Sequence, residues 1–470
     1  MAHTIIAMTT GSTALPKQIS RQEPLAAAYG WLLFFMVIYL ARPEDWIPGL
    51  SAVPLAKIVG ILAFIALAFA IGKVRQRFAP EVIYLILLCG QLWLTVPFSP
   101  VWRGGAFQGV SDFSKVVVIV LVMVLSVRTV LRLRYLILIQ AASVAVLAAV
   151  SVWKGRYFQG RLVGDSSTFG NSNDLALIIV VSLPLCLVFL FRSRSRLRKA
   201  AWAAAMLGMT YAVFRTSSRA GLISLTIAAG ICLWEFAVKG RRRYLLVVVG
   251  VVGVVFMVYF GSGVMSRLGS SAQSDNSGGV GAASADEVSA AQSTEQRRAL
   301  LIQSLKVTAE HPLFGVGPGN FSVVSGNWHV THNSYTQMSS EGGVPALVLY
   351  VLILWSGFVN LRSTKRLSGT GLELKMFASG LRASLAAFVV GAVFASVAYQ
   401  FFTYFLVFYT TVLYQIARRK CLDHRLRSEQ VAQGKTQETT AIVASGLADV
   451  VKGNAATMSG QTNALLRSDR

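Results

Sequence analysis

Charged side chains are scarce in this chain of 470 residues. Asp, Glu, Lys and Arg make up 14% of it and hydrophobic residues 54%, whereas a soluble domain carries about 25% charged residues. The mean hydropathy of +0.58 points the same way. This composition excludes an ordinary soluble protein and predicts an all-α polytopic membrane protein.

Cysteine is also rare. The four cysteines are Cys89, Cys186, Cys232 and Cys421, and none stands at the spacing of a CxxC or metal-binding motif. Neither a disulfide nor a metal site is therefore favoured. Residues 1–25 also lack the regions that mark a secretory signal, so we expect the first apolar segment to be retained.

Acidic residues are outnumbered, since 44 Lys and Arg against 20 Asp and Glu give a net charge of +24. In a soluble protein this excess would suggest nucleic-acid binding. Here most basic residues form short clusters between apolar segments, as the positive-inside rule expects. No RNA-binding signature or basic-aromatic groove is visible, so no nucleic-acid partner is predicted.

Long apolar segments dominate the chain, and twelve can be drawn that are close to the length of a membrane-spanning helix. Their approximate cores are 26–41, 54–72, 82–97, 113–127, 133–153, 174–191, 200–214, 220–238, 244–263, 343–361, 378–397 and 400–417. With both termini in the cytoplasm, every dense basic cluster lies on the inner side, which supports the count of twelve.

The domain organisation follows from these segments. We predict a cytoplasmic N-terminal segment, helices 1–9, a long outer loop that contains helical segments, helices 10–12, and a basic and then disordered cytoplasmic tail. Their ranges are 1–25, 26–263, 264–342, 343–417 and 418–470.

The long outer loop has distinct parts. Residues 268–294 are rich in Gly, Ser and Ala, which predicts a disordered segment or a flexible lid. From Thr294 to Glu310 the pattern predicts an amphipathic helix that ends before Pro312. The next run, Gly315-Val-Gly-Pro-Gly319, lacks the strand and the acidic residue of a nucleotide-binding loop. It therefore indicates a tight turn.

Arginines on the outer side run against the charge bias. Arg215 and Arg219 flank a short turn with hydroxyl side chains between them. An isolated arginine there would be an interface anchor, but a pair suits a phosphate, whose oxygens match the guanidinium fork. Asn173 or Asp174 caps the sixth predicted helix, whose N-terminus faces outward and so also favours an anion. An anionic ligand is thus predicted on the outer side.

His332 stands at the expected membrane interface, just before the tenth apolar segment. A lone histidine is commonly a structural hydrogen-bonding group, but a neutral imidazole can also accept a proton from a sugar hydroxyl. His311 and His329 are alternatives for that role. The outer loops lack clustered acidic residues, which argues against a divalent-metal mechanism and against a two-carboxylate hydrolase. No metal or cofactor is predicted.

Four motifs occur in order along the middle of the chain. They are Phe169-Gly-Asn-Ser-Asn-Asp-Leu-Ala176, Ser218-Arg-Ala-Gly-Leu222, Arg297 ahead of His311-Pro-Leu-Phe-Gly-Val-Gly-Pro-Gly-Asn320, and His332-Asn-Ser-Tyr335 with Glu341-Gly-Gly343. Together they resemble the O-antigen ligase and O-antigen polymerase family of bacterial membrane glycosyltransferases. The motifs cover roughly residues 165–355, and the remainder resembles the family by topology alone.

The resemblance implies a GT-C-like, metal-independent glycosyltransferase in the bacterial inner membrane, with its active site on the periplasmic face. Its donor would be a glycan linked to undecaprenyl diphosphate. Carried over by position, Arg219 and Arg297 would hold the diphosphate, and His332 would be the general base or would orient the acceptor. Further residues expected to bind substrate are Arg215, Arg298, Asn173, Asn333, Tyr335 and Glu341. The choice between Arg297 and its neighbour Arg298 is left open.

The acceptor is also left open. Family members ligate a glycan to a lipid A core, extend a growing glycan, or glycosylate proteins, and the sequence does not separate these reactions. A ligase-like reaction is placed first and a repeat-unit polymerase second. A polysaccharide or lipid transporter is less favoured, because transporters keep polar residues near the bilayer midplane, often in repeated halves. The remaining predicted partners are membrane lipids.

Overall fold

The computed structural model describes residues 25–70, 72, 78–158, 160–164, 168–273, 285–326, 329–367, 369 and 371–465. The predicted N-terminal segment 1–25 lies outside the described residues, except for Leu25. Helices account for most of the described chain, as expected for an all-α membrane protein.

Along the described chain the α-helices occur in the following order. They are α1 (Ala26–Ala41), α2 (Pro43–Trp46), α3 (Leu55–Ala68), α4 (Pro80–Phe98), α5 (Arg103–Ser126), α6 (Val130–Lys154), α7 (Ser172–Arg192), α8 (Arg196–Arg215), α9 (Arg219–Cys232), α10 (Tyr244–Gln273), α11 (Ala285–Glu310), α12 (Phe321–Val324), α13 (Ser334–Arg366), α14 (Leu372–Gly391) and α15 (Phe401–Leu465). Short 3₁₀ turns cover Leu50–Ala52 and Ala392–Phe394, and a π-helical turn covers Leu233–Val238. A small antiparallel hairpin pairs β1 (Tyr157–Phe158) with β2 (Arg161–Leu162).

Every predicted apolar segment overlaps one of these helices. In the described part of the chain, seven helices are long and apolar enough to cross a membrane. Three shorter apolar stretches, Ala26–Ala41, Leu55–Ala68 and Tyr244–Phe256, accompany them. The protein is therefore an all-α, multi-pass membrane protein, and the count of twelve spans stays a prediction.

Helix α7 lies at the centre of the bundle, where it packs against α6, α8, α9 and α14. Small residues allow this close packing. A Cβ atom added at Gly221 would lie 2.7 Å from the Cβ of Ala176, and one added at Gly380 would lie 2.7 Å from a methyl carbon of Val188. Membrane helices pack closely through such small residues because lipid supplies no hydrophobic force between them.

Polar contacts at one end of the bundle join segments that the charge pattern predicts to be cytoplasmic. Glu373 binds Arg134 at 2.6 Å and Arg192 at 3.2 Å, which ties together α6, α7 and α14. Near the same end, Glu235 accepts hydrogen bonds from Lys365 and Arg382. All of these paired groups are predicted to lie on the cytoplasmic side, as expected if successive helices cross the membrane in alternating directions.

Contacts at the other end join segments that are predicted to be outside. Arg42 donates to Thr168 at 3.0 Å, and Lys154 donates to the carbonyl of Asp45 at 2.7 Å. The β-hairpin reaches the start of α7 through Arg161. These contacts hold the segments predicted to be outside in one layer. We call it the outer layer, and it contains the candidate site.

Helix occupies parts of two segments that the sequence analysis predicted to be disordered or, for 268–294, a flexible lid. Helix α10 continues to Gln273 and α11 begins at Ala285, so within 268–294 only residues 274–284 lie outside the described chain. The start of α11 has strong helix formers and two acidic residues in its first turn, which stabilise a helix N-terminus. The tail predicted to be disordered continues α15 to Leu465. It has no proline and many Ala and Gln residues, so nothing interrupts the helix.

Candidate active site

The glycine run of the long loop docks against a break in α13. Gly315, Gly317 and Gly319 all have positive φ, which confirms the predicted tight turn. The amide of Gly317 donates to the carbonyl of Glu341 at 2.8 Å, and the amide of Val344 donates to the carbonyl of Pro312 at 2.7 Å. These main-chain bonds hold the loop in register with the broken helix.

The break in α13 lies at Gly343, whose φ and ψ are 81° and 175°. A Cβ atom at this position would lie 2.4 Å from the carbonyl oxygen of Leu313. Both the backbone conformation and the close approach therefore require glycine. The loop passes directly over the break because no side chain separates the two backbones.

Amide side chains fix the loop further. The Asn320 Nδ2 donates to the hydroxyl of Ser99 at 3.0 Å and to the carbonyl of Trp102 at 2.8 Å. Gln91 of α4 donates to the carbonyls of Leu313 and Gly342 at 2.7 Å and 3.1 Å. The loop thus joins α4 to α13 and sets the positions of the segments on either side of it.

Helix α11 precedes this loop and lies across the outer layer. Leu300 and Val307 are buried against Val316 and Phe321, which form a small apolar cluster. The Thr308 hydroxyl also bonds to that of Ser339 at 2.9 Å. The helix predicted from Thr294 to Glu310 is confirmed as part of α11, and it ends at Glu310, just before Pro312.

The packing of α11 separates its two adjacent arginines. Arg297 is half-buried, whereas Arg298 is exposed. Consecutive residues on a helix point about 100° apart, so one helix face cannot present both side chains to the same site. The structure therefore brings Arg297, and not Arg298, to the interior of the outer layer.

The β-hairpin, α7 and α9 meet at a shared hydrogen-bond network. Arg161 donates to the Asn173 side chain at 3.0 Å and to the carbonyl of Thr216 at 3.2 Å. The Ser218 hydroxyl donates to the same Asn173 oxygen at 2.6 Å and caps α9 by accepting from the Gly221 amide. This network fixes the turn from which Arg219 begins α9.

Charge interactions link arginines from three separate segments, and we refer to Arg161, Arg219 and Arg297 as the arginine cluster. Burial and the Arg219 guanidinium lower the pKa of Arg297, whereas the Asp174 carboxylate acts in the opposite direction. Arg297 and Arg161 act in turn on His332. A concentration of positive charge in a partly buried layer suits a multiply charged anion.

His332 is held neutral beside this cluster. Burial lowers its pKa from 6.5 to about 4, and the positive charges of Arg297, His329 and Arg161 add to the effect. Both causes disfavour the protonated ring. At pH 7 the imidazole is therefore unprotonated and can accept a proton.

The backbone around His332 is constrained. His332 has φ of 53°, a left-handed conformation that few residues other than glycine adopt. On one side the Thr331 hydroxyl donates to the carbonyl of Asn333 at 2.9 Å, and on the other the Asn333 side chain caps α13 by accepting from the Tyr335 amide at 2.9 Å. Within the described residues no hydrogen bond to the His332 ring is present.

Other residues predicted to bind substrate have structural contacts. Asn173 belongs to the network around Arg161, and Asn333 is a helix cap. The Tyr335 hydroxyl donates to the carbonyl of Val389 at 2.8 Å. Glu341 is buried, and it accepts from the Phe321 amide at 3.4 Å. These contacts hold the site together.

Arg215 lies on the far side of the hairpin turn. It donates to the Tyr157 hydroxyl at 3.0 Å and lies over the rings of Tyr157 and Tyr211, at 5.0 Å and 5.9 Å from their centres. An open cleft of about 270 Å³ adjoins it, lined by Tyr157, Gly160, Phe214, Arg215 and Ser217. Arg215 thus interacts with aromatic rings, and the charges that act on Arg297 and His332 come from other residues.

The sequence alone did not single out Arg161 or Asp174 as site residues. Arg161 was one of several outer basic residues, and Asp174 was considered only as a helix cap. Neither lies in a spacing pattern that would connect it with Arg297. Among the described residues, no group of three or more His, Cys, Asp and Glu side chains is arranged to hold a metal ion.

Comparison with known protein families bears on the middle of the chain. A family model described as O-antigen ligase matches residues 204–351, which is less than half of the chain. The matched segment contains Arg219, Arg297 and His332, together with the loop that docks on α13. No curated protein gives a significant match. The match confirms, over residues 204–351, the resemblance to the O-antigen ligase and polymerase family that the motifs indicated.

Proposed function

We propose that this protein transfers a glycan from an undecaprenyl-diphosphate-linked donor to a hydroxyl acceptor on the periplasmic face of the bacterial inner membrane. The observation that carries the proposal is the convergence of Arg219 and Arg297 beside a neutral His332. These residues come from α9, α11 and the segment before α13. All of them lie in the segment that matches the O-antigen ligase family.

The arginines fit the leaving group. As the bond between the sugar and the diphosphate breaks, its electron pair passes to the phosphate oxygen, which gains negative charge. Guanidinium groups fixed in advance stabilise this charge in a partly dehydrated site without reorganising during the reaction. Each guanidinium can also donate two parallel hydrogen bonds to phosphate oxygens.

His332 fits the acceptor side of the reaction. The acceptor oxygen forms a bond with the anomeric carbon and loses one proton, which the unprotonated imidazole accepts. A bound diphosphate offsets the arginine charges that act on His332, and therefore raises its pKa towards the working pH. Direct displacement of this kind inverts the anomeric carbon.

The location of the site supports a lipid-linked donor. The site lies in the outer layer, at the ends of apolar helices, so a lipid tail can stay in the bilayer while its diphosphate reaches the arginines. We place a lipid A core first as the acceptor and the end of a growing glycan second. A transporter is disfavoured because the arginine cluster comes from outer-layer segments, whereas transport sites lie near the bilayer midplane.

Purified protein in detergent provides the direct test. Incubation with an undecaprenyl-diphosphate-linked glycan and a lipid A core acceptor should release undecaprenyl diphosphate and form a new glycosidic bond. Glycan profiles of a deletion strain separate the two acceptors, because long lipid-linked polymer accumulates when a ligase is lost and single repeat units accumulate when a polymerase is lost. Translocation of the donor without any glycosidic product would refute the proposal.

A further inference from the structure

Two cations share one carboxylate at the predicted cytoplasmic end of the bundle. Glu235 is buried, and its two oxygens accept from the Lys365 ammonium at 2.7 Å and from the Arg382 guanidinium at 3.0 Å. The Ser379 hydroxyl also donates to this carboxylate, at 3.1 Å. We refer to Glu235, Lys365 and Arg382 as the Glu235 cluster. Because two positive charges meet a single negative charge, the cluster keeps an excess of positive charge.

Arg382 is the most accessible member of the cluster. Its side chain is 49% exposed, whereas the Glu235 carboxylate that it contacts is buried. Within the described residues the Arg382 guanidinium makes a single hydrogen bond, the one to Glu235, which leaves its other N–H groups available. At a surface that faces lipid, such donors need an acceptor that the bilayer supplies.

The position of Arg382 in α14 indicates where that acceptor lies. Arg382 is the only charged residue between Lys375 and the end of the helix at Gly391. An ionisable residue inside a membrane-spanning helix is a functional candidate. Side chains on a helix lean towards its N-terminus, and the N-terminus of α14 is predicted to be cytoplasmic. The guanidinium is therefore directed towards the cytoplasmic head groups, whose phosphates are hydrogen-bond acceptors.

The surface beside the cluster has the features of a membrane interface. Glu235 stands in the π-helical turn Leu233–Val238, a rare geometry that recurs at functional sites. In the same turn Trp234 is exposed, and the Lys239 ammonium lies 5.6 Å from the centre of its ring. Tryptophan concentrates at the head-group level of bilayers. This turn therefore places the cluster at the level of the lipid head groups.

We propose that the Glu235 cluster binds the phosphate of an anionic phospholipid in the cytoplasmic leaflet, with Arg382 as the main donor. The negative charge of a phosphodiester offsets the excess positive charge of the cluster. A guanidinium can donate parallel hydrogen bonds to phosphate oxygens, and Glu235 positions Arg382 for this contact. The site is independent of the proposed function, because it lies at the opposite predicted end of the bundle from the arginine cluster.

Binding of phosphatidylglycerol to the delipidated full-length protein in detergent tests this site. Native mass spectrometry should show that the protein binds phosphatidylglycerol about tenfold more tightly than zwitterionic phosphatidylcholine, and phosphatidylglycerol should raise the melting temperature. Arg382→Gln should weaken phosphatidylglycerol binding about tenfold, because a hydrogen bond to a charged group is lost. Arg382→Met, which suits a lipid-facing position, should give the same loss even if the glutamine variant does not fold. Arg382→Lys keeps the charge and should stay within about threefold of the original protein.

Arg198→Gln is the matched control, because Arg198 is an exposed cation that is also predicted to be cytoplasmic. It should bind phosphatidylglycerol as the original protein does. Equal binding of the two lipids by the original protein would overturn the site, and so would unchanged binding by the Arg382 variants. An equal loss in Arg198→Gln would show general attraction to a basic surface instead. If inorganic phosphate alone raised the melting temperature as much as phosphatidylglycerol, the ligand would be a free anion and not a lipid.

Discussion

Arg297 and Arg298 are neighbours in sequence, but α11 directs only Arg297 towards the other members of the arginine cluster. The difference comes from packing, since Leu300 and Val307 bury one face of the helix and carry Arg297 inward with it. The sequence pattern placed both arginines at the start of the helix and could not choose between them. At the scale of single residues, tertiary packing therefore decides which cation belongs to the site.

Arg297→Gln should lower the rate of glycan transfer about 100-fold, because one preorganised donor to the leaving phosphate is lost. Arg298→Gln, a matched change at the exposed neighbour, should keep the rate within about twofold, since isolated surface charges contribute little. Initial rates with a lipid-linked donor measure both. Equal losses for the two variants would contradict the assignment of Arg297.

His332 should show its lowered pKa directly. In a nuclear magnetic resonance titration of histidine-labelled protein, its ring should stay neutral down to about pH 4, far below the ordinary value of 6.5. The unfolded chain takes up this proton near pH 6.5 and the folded chain only near 4, so His332 lowers stability as the pH falls through that interval. Arg297→Gln should raise the pKa of His332, because one of the positive charges that depress it is removed.

His332→Asn removes the imidazole ring and should preserve the backbone conformation, so it tests the ring alone. Asparagine tolerates a positive φ, so the variant should fold and insert normally while transfer drops at least 100-fold. His329→Asn is the matched control, because that ring bonds to Gln296 at 2.8 Å and is not assigned the proton transfer. Near-normal transfer by His332→Asn would remove the general base from the mechanism.

The loop from His311 to Asn320 and the break in α13 act as one element. Sequence reasoning predicted the turn from its glycines, because the need for positive φ is local. It did not predict the docking partner, since the main-chain bonds to Ser340 and Glu341 depend on where α13 breaks. The Arg161 hairpin was missed for a related reason, because strands of two residues leave no periodic pattern.

Gly343→Ala should detach this element from α13. The new Cβ would meet the Leu313 carbonyl oxygen at 2.4 Å, in a residue that also has φ of 81°. Gly319→Ala is matched in φ, at 79°, but has nothing within 4 Å of its Cβ. For the control we expect a loss of stability of about 1 kcal/mol, from its backbone conformation alone. For Gly343→Ala we expect a clearly larger drop in melting temperature in detergent, together with loss of glycan transfer. Equal destabilisation would show that close approach does not matter.

At the scale of the whole molecule, the apolar segments and basic clusters predict most of the fold. A helix that crosses lipid must be apolar along its length, and basic residues mark its cytoplasmic end. Both features can be recognised in a short stretch of sequence. The helix in the tail and at the start of α11 was not predicted, because polar composition alone does not exclude a helix. The convergence of Arg161, Arg219 and Arg297 required the assembled bundle.

Sidedness can be tested by cysteine labelling. Glu310 and Glu429 are both exposed, and they lie at the predicted outer and inner ends of the bundle. Of the native cysteines, Cys89 is half-buried and the other three are buried, so the background should be low. Glu310→Cys should react with a membrane-impermeant maleimide on intact spheroplasts, and Glu429→Cys only after permeabilisation. The reverse pattern would place the arginine cluster in the cytoplasm.

The docking of the loop on α13 has a consequence for engineering. The register of the loop depends on peptide groups and glycines, which any redesign has to keep. Leu313 is 62% exposed, and it contacts Gln91 through its carbonyl oxygen. Exposed side chains on such a frame can be exchanged without loosening it. Libraries aimed at new acceptors should therefore randomise outward positions such as Leu313 and Val330 and leave the backbone scaffold untouched.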